Sequence, residues 1–354
     1  MRERLLEDLL WFMERPSVTG EERLLCDDLE ARLERATDWK IERFSNNLVV
    51  HRAECDASRE RVVLAGHLDT VPEPEGGLPV RVEGERIYGR GASDMKAGDA
   101  VMLALLEDFS WEHSWAEPTF VFYEREEGPY AENGLEMVFA ENPWMLDAEL
   151  AFLLEPTAGA LEVGCVGTAQ IEVTFGGRLA HSARPWQGDN AITAAGEFLS
   201  ELHERQVEEV VVEGLTFYEV LVPTMARGGQ ARNVVPETFW INVNYRFAPG
   251  KDQGDVRQLF EELLAGGADY VVADFAPSGP VDLGNPLLQE LIETGLEVRP
   301  KQAWTDVARF AQRGVAAANF GPGLPSQAHQ DAEFVEWPLL EECYERLGSF
   351  FGHD

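Results

Sequence analysis

Apolar residues along this chain change their period twice, and the changes divide it. Near the N-terminus Leu5, Leu6, Leu9, Leu10 and Met13 recur at helical spacing until Pro16, which cannot continue a helix. Thr19 with Glu22 forms a capping-box pattern that predicts a second amphipathic helix to about Leu33. Leu48 to His51, after the turn signal Asn46-Asn47, and Arg61 to Ala65 then read as strands. The unbroken apolar run from Val62 to Ala65 is what a strand covered on both faces requires. A helix from about Met95 to Phe109 sets Val101, Leu105 and Phe109 on one face, and Thr119 to Tyr123 and Ala148 to Leu154 are further buried strands. Alternating helix and strand predicts an α/β fold with a largely parallel sheet.

At about Thr168 the pattern becomes alternation of apolar and polar residues, as in a strand with one wet face. A helix from about Asn190 to Arg205 follows, then strands Phe217 to Met225 and Thr238 to Phe247, a helix near Val256 to Leu264 and a strand near Tyr270 to Phe275. That β-α-β-β-α-β order is the ferredoxin-like arrangement. From about Val281 the α/β character resumes, with helices near Pro286 to Leu296 and Thr305 to Arg313, a strand Val315 to Phe320 and a last helix Pro338 to Phe351. The expected organisation is a discontinuous α/β domain, residues 1–167 and 278–354, interrupted by an inserted α+β domain, residues 168–277.

A length of 354 residues agrees with two domains, because single cores stop growing below that size. Lys and Arg number 29 against 64 Asp and Glu, a net charge of −35 that repels nucleic acid and anionic membrane. Neither is expected as a partner. Four scattered cysteines without a CxxC pair indicate neither a disulfide framework nor a thiolate zinc site, and reduced thiols fit a cytoplasmic protein. The N-terminal segment has acids among its apolar positions and lacks a signal-peptide core, and no apolar run approaches membrane-spanning length.

The candidate chemistry sits where apolar strands end, which is where open α/β sheets keep their sites. His67 and Asp69 follow one such strand and, by alternation, face the same way, so that the carboxylate can sit behind the imidazole. Asp94 lies between a Gly-rich stretch and a helix start; Glu124, Glu126 and Glu127 follow the next strand; Glu155 follows another; His329 comes late, after GPGLPSQA. Taken singly, each has a plainer reading: a structural histidine, a solvated acidic loop, or, for GRGAS, a phosphate-binding glycine loop that lacks the spacing. Together, two imidazoles and several carboxylates suit zinc, and one carboxylate can bridge two ions. Of the adjacent pair Glu126 and Glu127, one can ligate while the other moves protons.

GHLDTVP, GRGASDMKAG, EREEGP, LLEPT and PSQAH resemble, in order and spacing, the di-zinc aminoacyl hydrolase family that spans desuccinylases, acetylornithine deacetylases, aminoacylases and glutamate carboxypeptidases. The resemblance covers nearly the whole chain. It implies a zinc-aminopeptidase-like catalytic domain, hydrolysis of an N-acyl amino acid, and two zinc ions, with cobalt or manganese as alternatives in one site. By position it implies His67 and Glu155 on one ion, Glu127 and His329 on the other, and Asp94 between them. It further implies Asp69 supporting His67, Glu126 as general base, and His181 as a donor to the tetrahedral oxygen, reaching the partner's site in a homodimer formed through the inserted domain.

AHSARPWQGDNA, QARNVVPE, NVNYRFAP and AWTDVARF resemble the desuccinylase branch most closely. In that branch Asn233, Arg246 and Thr305 correspond to positions that hold substrate carboxylates or the backbone beside them. Arg246 has a structural alternative, an ion pair with one of the many acids. Many desuccinylases have Gly-Arg-Arg-Gly where this chain has Gly164-Cys165-Val166-Gly167, so one substrate-gripping arginine is absent and Arg184 is the candidate replacement. The competing expectations are a deacylase for N-acetylornithine or N-acetylcitrulline, a binding protein that has lost catalysis, and a nucleotide-binding α/β protein.

Overall fold

The computed structural model describes residues 1–205 and 207–352. The chain divides into two compact units, Met1–Gly164 with Asp282–Arg299 and Asp306–Asp354, and Cys165–Val281 with Pro300–Thr305.

The first unit is built on an eight-stranded mixed sheet in the order Lys40–Phe44, Asn47–His51, Ala116–Tyr123, Glu60–His67, Leu150–Leu153, Ala317–Asn319, Leu161–Cys165, Val298–Lys301. Glu60–His67 lies at its centre, parallel to Ala116–Tyr123 on one side, with His67 opposite Tyr123, and to Leu150–Leu153 on the other. Residues 62 to 67 of that strand are all buried, as the apolar run requires. Three neighbouring parallel strands therefore end at the same edge of the sheet, one at His67, one just before Glu124 and one two residues before Glu155.

The helix Lys96–Asp108 is buried all round from Lys96 to Leu106, not on one face alone. It is packed by the helices Arg2–Met13 and Trp337–Phe351 and by the strand Glu60–His67. Each large apolar side chain buried there contributes roughly 1.5–3 kcal/mol. Gly98 allows its close approach: a Cβ at that position would stand 2.3 Å from the Leu154 carbonyl oxygen, one residue before Glu155.

The second helix spans Arg23–Ala36, and the expected capping box is not formed. Glu22 accepts instead from the Gly20 amide, and the Thr19 hydroxyl is drawn away to Asp69, 2.9 Å distant. The hydroxyl is engaged as a donor to a buried carboxylate instead of serving as an acceptor for the helix's first N–H groups.

The second unit has a five-stranded antiparallel sheet in the order Glu208–Val212, Leu215–Gly228, Thr238–Phe247, Gly167–Gly176, Asp269–Ala276. The last four strands of that order have the ferredoxin-like arrangement, and Glu208–Val212 is an edge strand that the sequence pattern did not reveal. Gly167–Gly176 alternates buried and half-buried residues along its length. The expected helix from Asn190 to Arg205 is two pieces, Ala191–Ala194 and Gly196–Glu204, the first capped by the Asn190 side chain. Gln253–Leu264 starts earlier than its apolar face predicts because Asp252 and Asp255 cap it reciprocally. Phe198, Leu202, Val256 and Phe260 pack against the sheet's inner residues Ile171, Val173, Ile241 and Val243. No helix among the described residues is long and apolar enough to cross a membrane.

Candidate metal centre

His67 ends its strand with its ring fully buried. Nδ1 lies 3.0 Å from the backbone carbonyl of Asp69, an atom that only accepts, so Nδ1 carries a proton and Nε2 turns to the carboxylates. Nε2 is 3.2 Å from Asp94 Oδ1 and 3.8 Å from Glu155 Oε1. Across the site His329 Nε2 is 2.8 Å from Glu127 Oε1 and 3.6 Å from Asp94 Oδ2. Asp94 thus offers one oxygen to each imidazole. His67, Asp94 and Glu155 form one group, and Asp94, Glu127 and His329 another, whose donor atoms all lie within 4.8 Å of one another. Glu126 stands in a third such group with His67 and Glu127.

Asp69 does more than the sequence suggests. Its carboxylate is 3.6 Å from His67 Nδ1, farther than its own carbonyl, and it accepts from the amides of Glu126 at 3.0 Å and Glu127 at 3.1 Å. It therefore ties the imidazole loop to the acid loop. Those donors and His67 hold its pKa below the ordinary value although burial opposes ionisation.

Electrostatically the group asks for positive charge. Loss of water around Glu126 pushes its pKa well above the ordinary value, and Glu127 and Glu155 push the same way. Glu127 is raised by desolvation and by Asp94, against the pull of His329. Burial works against a charged His67, yet Asp69, Asp94, Glu126 and Glu155 outweigh it and lift its pKa well above normal; Glu127 raises that of His329. Two imidazole nitrogens and carboxylate oxygens, with one carboxylate between two groups, form a donor set suited to a pair of divalent ions such as zinc. The residues present fit that cofactor.

Glu124, the first acid of its run, has another task. It accepts from the Asn46 and Asn47 side chains at 2.7 and 3.2 Å, and its amide donates to Asn47 Oδ1, which locks the loop to the neighbouring strand. Arg125 and His329 both adopt left-handed backbone, with φ of 62° and 61°, which costs a side-chain-bearing residue about 1 kcal/mol and needs surrounding restraint.

Close to His329 in the chain stands Glu333, which sequence reading passed over as one acid among many. It is fully buried, four residues after His329, and accepts from the amides of Gly91, Ser93 and Asp94 at 3.0, 2.8 and 3.1 Å and from Arg90 at 2.9 Å. Only its burial distinguishes it. In Glu333→Gln an amide nitrogen must face these donors, so the Asp94 loop shifts. The expected result is roughly 10–100-fold weaker cation binding in a calorimetric titration, with the fold retained; unchanged affinity would remove Glu333 from this role.

The candidates in the second unit lie on it as follows. Ala180–His181 pairs with Val234–Val235, and the Ser182 amide donates to the Asn233 carbonyl at 2.9 Å, so His181 and Asn233 are neighbours. His181, Arg184 and Asn233 are exposed. Arg246 is half-buried, opposite Thr168 and Val220, and its Nε donates to Asn244 at 3.1 Å. Thr305 is buried, and its hydroxyl has no hydrogen-bond partner among the described residues.

Comparison with known proteins agrees with this geometry. The profile of Peptidase family M20/M25/M40 matches residues 63–352. A Mycobacterium tuberculosis protein named as a candidate succinyl-diaminopimelate desuccinylase, DapE, is 41% identical over 344 residues, 95% of each chain. The succinyl-diaminopimelate desuccinylase of Corynebacterium glutamicum is 40% identical over 330 residues, 90% of this chain and 88% of that one. Among solved structures, a tripeptidase of Staphylococcus aureus superposes with a TM-score of 0.80 at 21% identity, covering 99% of this chain and 98% of its own.

Proposed function

This chain belongs to peptidase family M20/M25/M40, and on that footing we propose that it hydrolyses the amide of N-succinyl-LL-2,6-diaminopimelate to succinate and LL-2,6-diaminopimelate. The observation that carries the chemistry is Asp94 facing both histidines, with Glu127 and Glu155 beyond them. The substrate rests on the two desuccinylase relatives at 40 and 41% identity.

His67 and Glu155 would hold one ion, Glu127 and His329 the other, and Asp94 both. Two zinc ions held there supply positive charge that acidifies water and polarises the amide carbonyl. Glu126 takes the proton from the attacking water and delivers it to the leaving amine. Its placement supports the role: Glu127 is paired to His329, whereas Glu126 makes no ion pair among the described residues. Desolvation raises the Glu126 carboxyl above its ordinary value, the direction that suits a group which holds a proton before returning it. Asp69 holds the backbone of both glutamates, so base and ligand keep a fixed separation.

The substrate carries three carboxylates and one free ammonium, and the chain's own charge of −35 opposes it. Arg246, Arg184, Asn233 and the Thr305 hydroxyl are the groups we assign to its carboxylates, and His181 to the tetrahedral oxygen. The protein would act in the cytoplasm, consistent with its four free cysteines, and as a homodimer through the inserted unit. Exposed Val211, Val222, Met225 and Val271 on that unit's strands support self-association.

Zinc-loaded protein assayed in parallel on N-succinyl-LL-diaminopimelate, N-acetylornithine and N-acetylcitrulline is expected to give by far the highest kcat/KM on the first. A higher value on an acetylated substrate would replace the desuccinylase reading by a deacylase one and leave the metal chemistry standing.

A further inference from the structure

Behind the acid loop lies a buried cluster that the chemistry above does not use. Asp306 is fully buried and receives donors from three directions: Tyr123 Oη at 2.8 Å, Asn133 Nδ2 at 2.9 Å and Arg309 Nε at 2.7 Å. Arg309, also fully buried, directs the rest of its guanidinium to Glu136 at 2.5 Å and to the Tyr130 carbonyl, and lies over the Tyr130 ring, 3.7 Å from its centre.

These partners are not scattered. Tyr123 is the last residue of the strand Ala116–Tyr123, Tyr130 and Asn133 lie at the far side of the loop that follows, and Glu136 is the second residue of the next helix, Leu135–Glu141. Between them stand Glu126 and Glu127. One Asp–Arg pair, at the start of the helix Val307–Gln312, thus grips the loop at its entry, its return and its exit. The Tyr123 ring also meets the His67 imidazole edge to face, with centroids 6.3 Å apart, so the same grip reaches the other histidine loop.

We propose that Asp306 and Arg309 form a clamp that positions Glu126 and Glu127, Asp69 holding the loop's backbone from the site side and the clamp from behind. A cluster that merely filled the core would need no such choice of partners. Here Tyr123, Asn133, Glu136 and Tyr130, which the pair's side chains contact, all lie on the Tyr123–Glu136 segment. That segment also contains the left-handed Arg125, a conformation a free loop would relax. The inference rests on the reading of Glu126 as base and Glu127 as ligand.

Removal of Asp306 takes one of two carboxylate partners from the buried Arg309 guanidinium, so Asp306→Ala tests folding more than positioning. Tyr123→Phe deletes one donor to Asp306, Asn133→Ala deletes another together with the acceptor of the Leu135 amide, and both leave the Asp–Arg pair intact. In zinc-loaded protein both are expected to lower kcat about ten- to a hundredfold with KM within about twofold, since displacement by an ångström at a reacting group has that effect. Amide hydrogen exchange within residues 124–136 is expected to accelerate, and the zinc affinity measured by calorimetry to fall, while exchange elsewhere is unchanged. A lowered melting temperature with wild-type kcat, zinc affinity and loop exchange would overturn the clamp and leave the cluster a packing element. Should wild-type protein not turn over N-succinyl-LL-diaminopimelate, the substrate reading fails on its own, and zinc affinity and loop exchange still decide the clamp.

Discussion

Replacing Glu126 by Gln is expected to lower kcat on the order of 10³-fold, about 4 kcal/mol in the barrier, while zinc content and KM stay near wild type. The side chain keeps its size and the backbone N–H of residue 126 still donates to Asp69, so the loop is held as before. What disappears is the proton acceptor. Glutamine cannot take the proton that water must lose or return it to the leaving amine. Glu127→Gln is the matched control, because Glu127 faces His329 at 2.8 Å, and its loss should appear first as weakened cation binding. If the Glu126 variant turned over at the wild-type rate, or lost its metal while the Glu127 variant kept it, the two adjacent acids would have to exchange roles.

Asp94→Ala is expected to remove both ions together. Asp94 presents Oδ1 to His67 and Oδ2 to His329, so deletion strips one donor from each group at once. His329→Ala, by contrast, touches one group only and should leave the His67 and Glu155 pair able to hold an ion. Metal analysis of the two variants after dialysis separates the cases: close to none for Asp94→Ala and close to one for His329→Ala, both with wild-type circular dichroism. Loss of a single ion from Asp94→Ala would contradict a bridging carboxylate.

The centre was legible in the sequence because it obeys local rules. Val62 to Ala65, Thr119 to Tyr123 and Ala148 to Leu154 are largely apolar runs each followed within two residues by a histidine or an acid, and parallel strands place those ends side by side. What the sequence hid depends on burial and on distant partners. Glu333 looks like any other acid in a chain with 64 of them, and only the tertiary fold reveals three backbone amides pointing at it. Thr19 carried a capping pattern, but a carboxylate fifty residues away claimed its hydroxyl. Asp306 and Arg309 sat inside a short amphipathic stretch whose charges would ordinarily face solvent, yet both are fully buried. Glu208–Val212, rich in valine but flanked by acids, is a half-exposed edge strand, where alternation is weakest as a signal.

All of these assignments assume that His67, Asp94, Glu127, Glu155 and His329 enclose a pair of divalent ions. Anomalous diffraction from zinc-loaded crystals tests this most directly. Two peaks about 3.5–4 Å apart are expected, one between His67 and Glu155, one between Glu127 and His329, with Asp94 touching both. A single peak, or a pair bound to other residues, would contradict it.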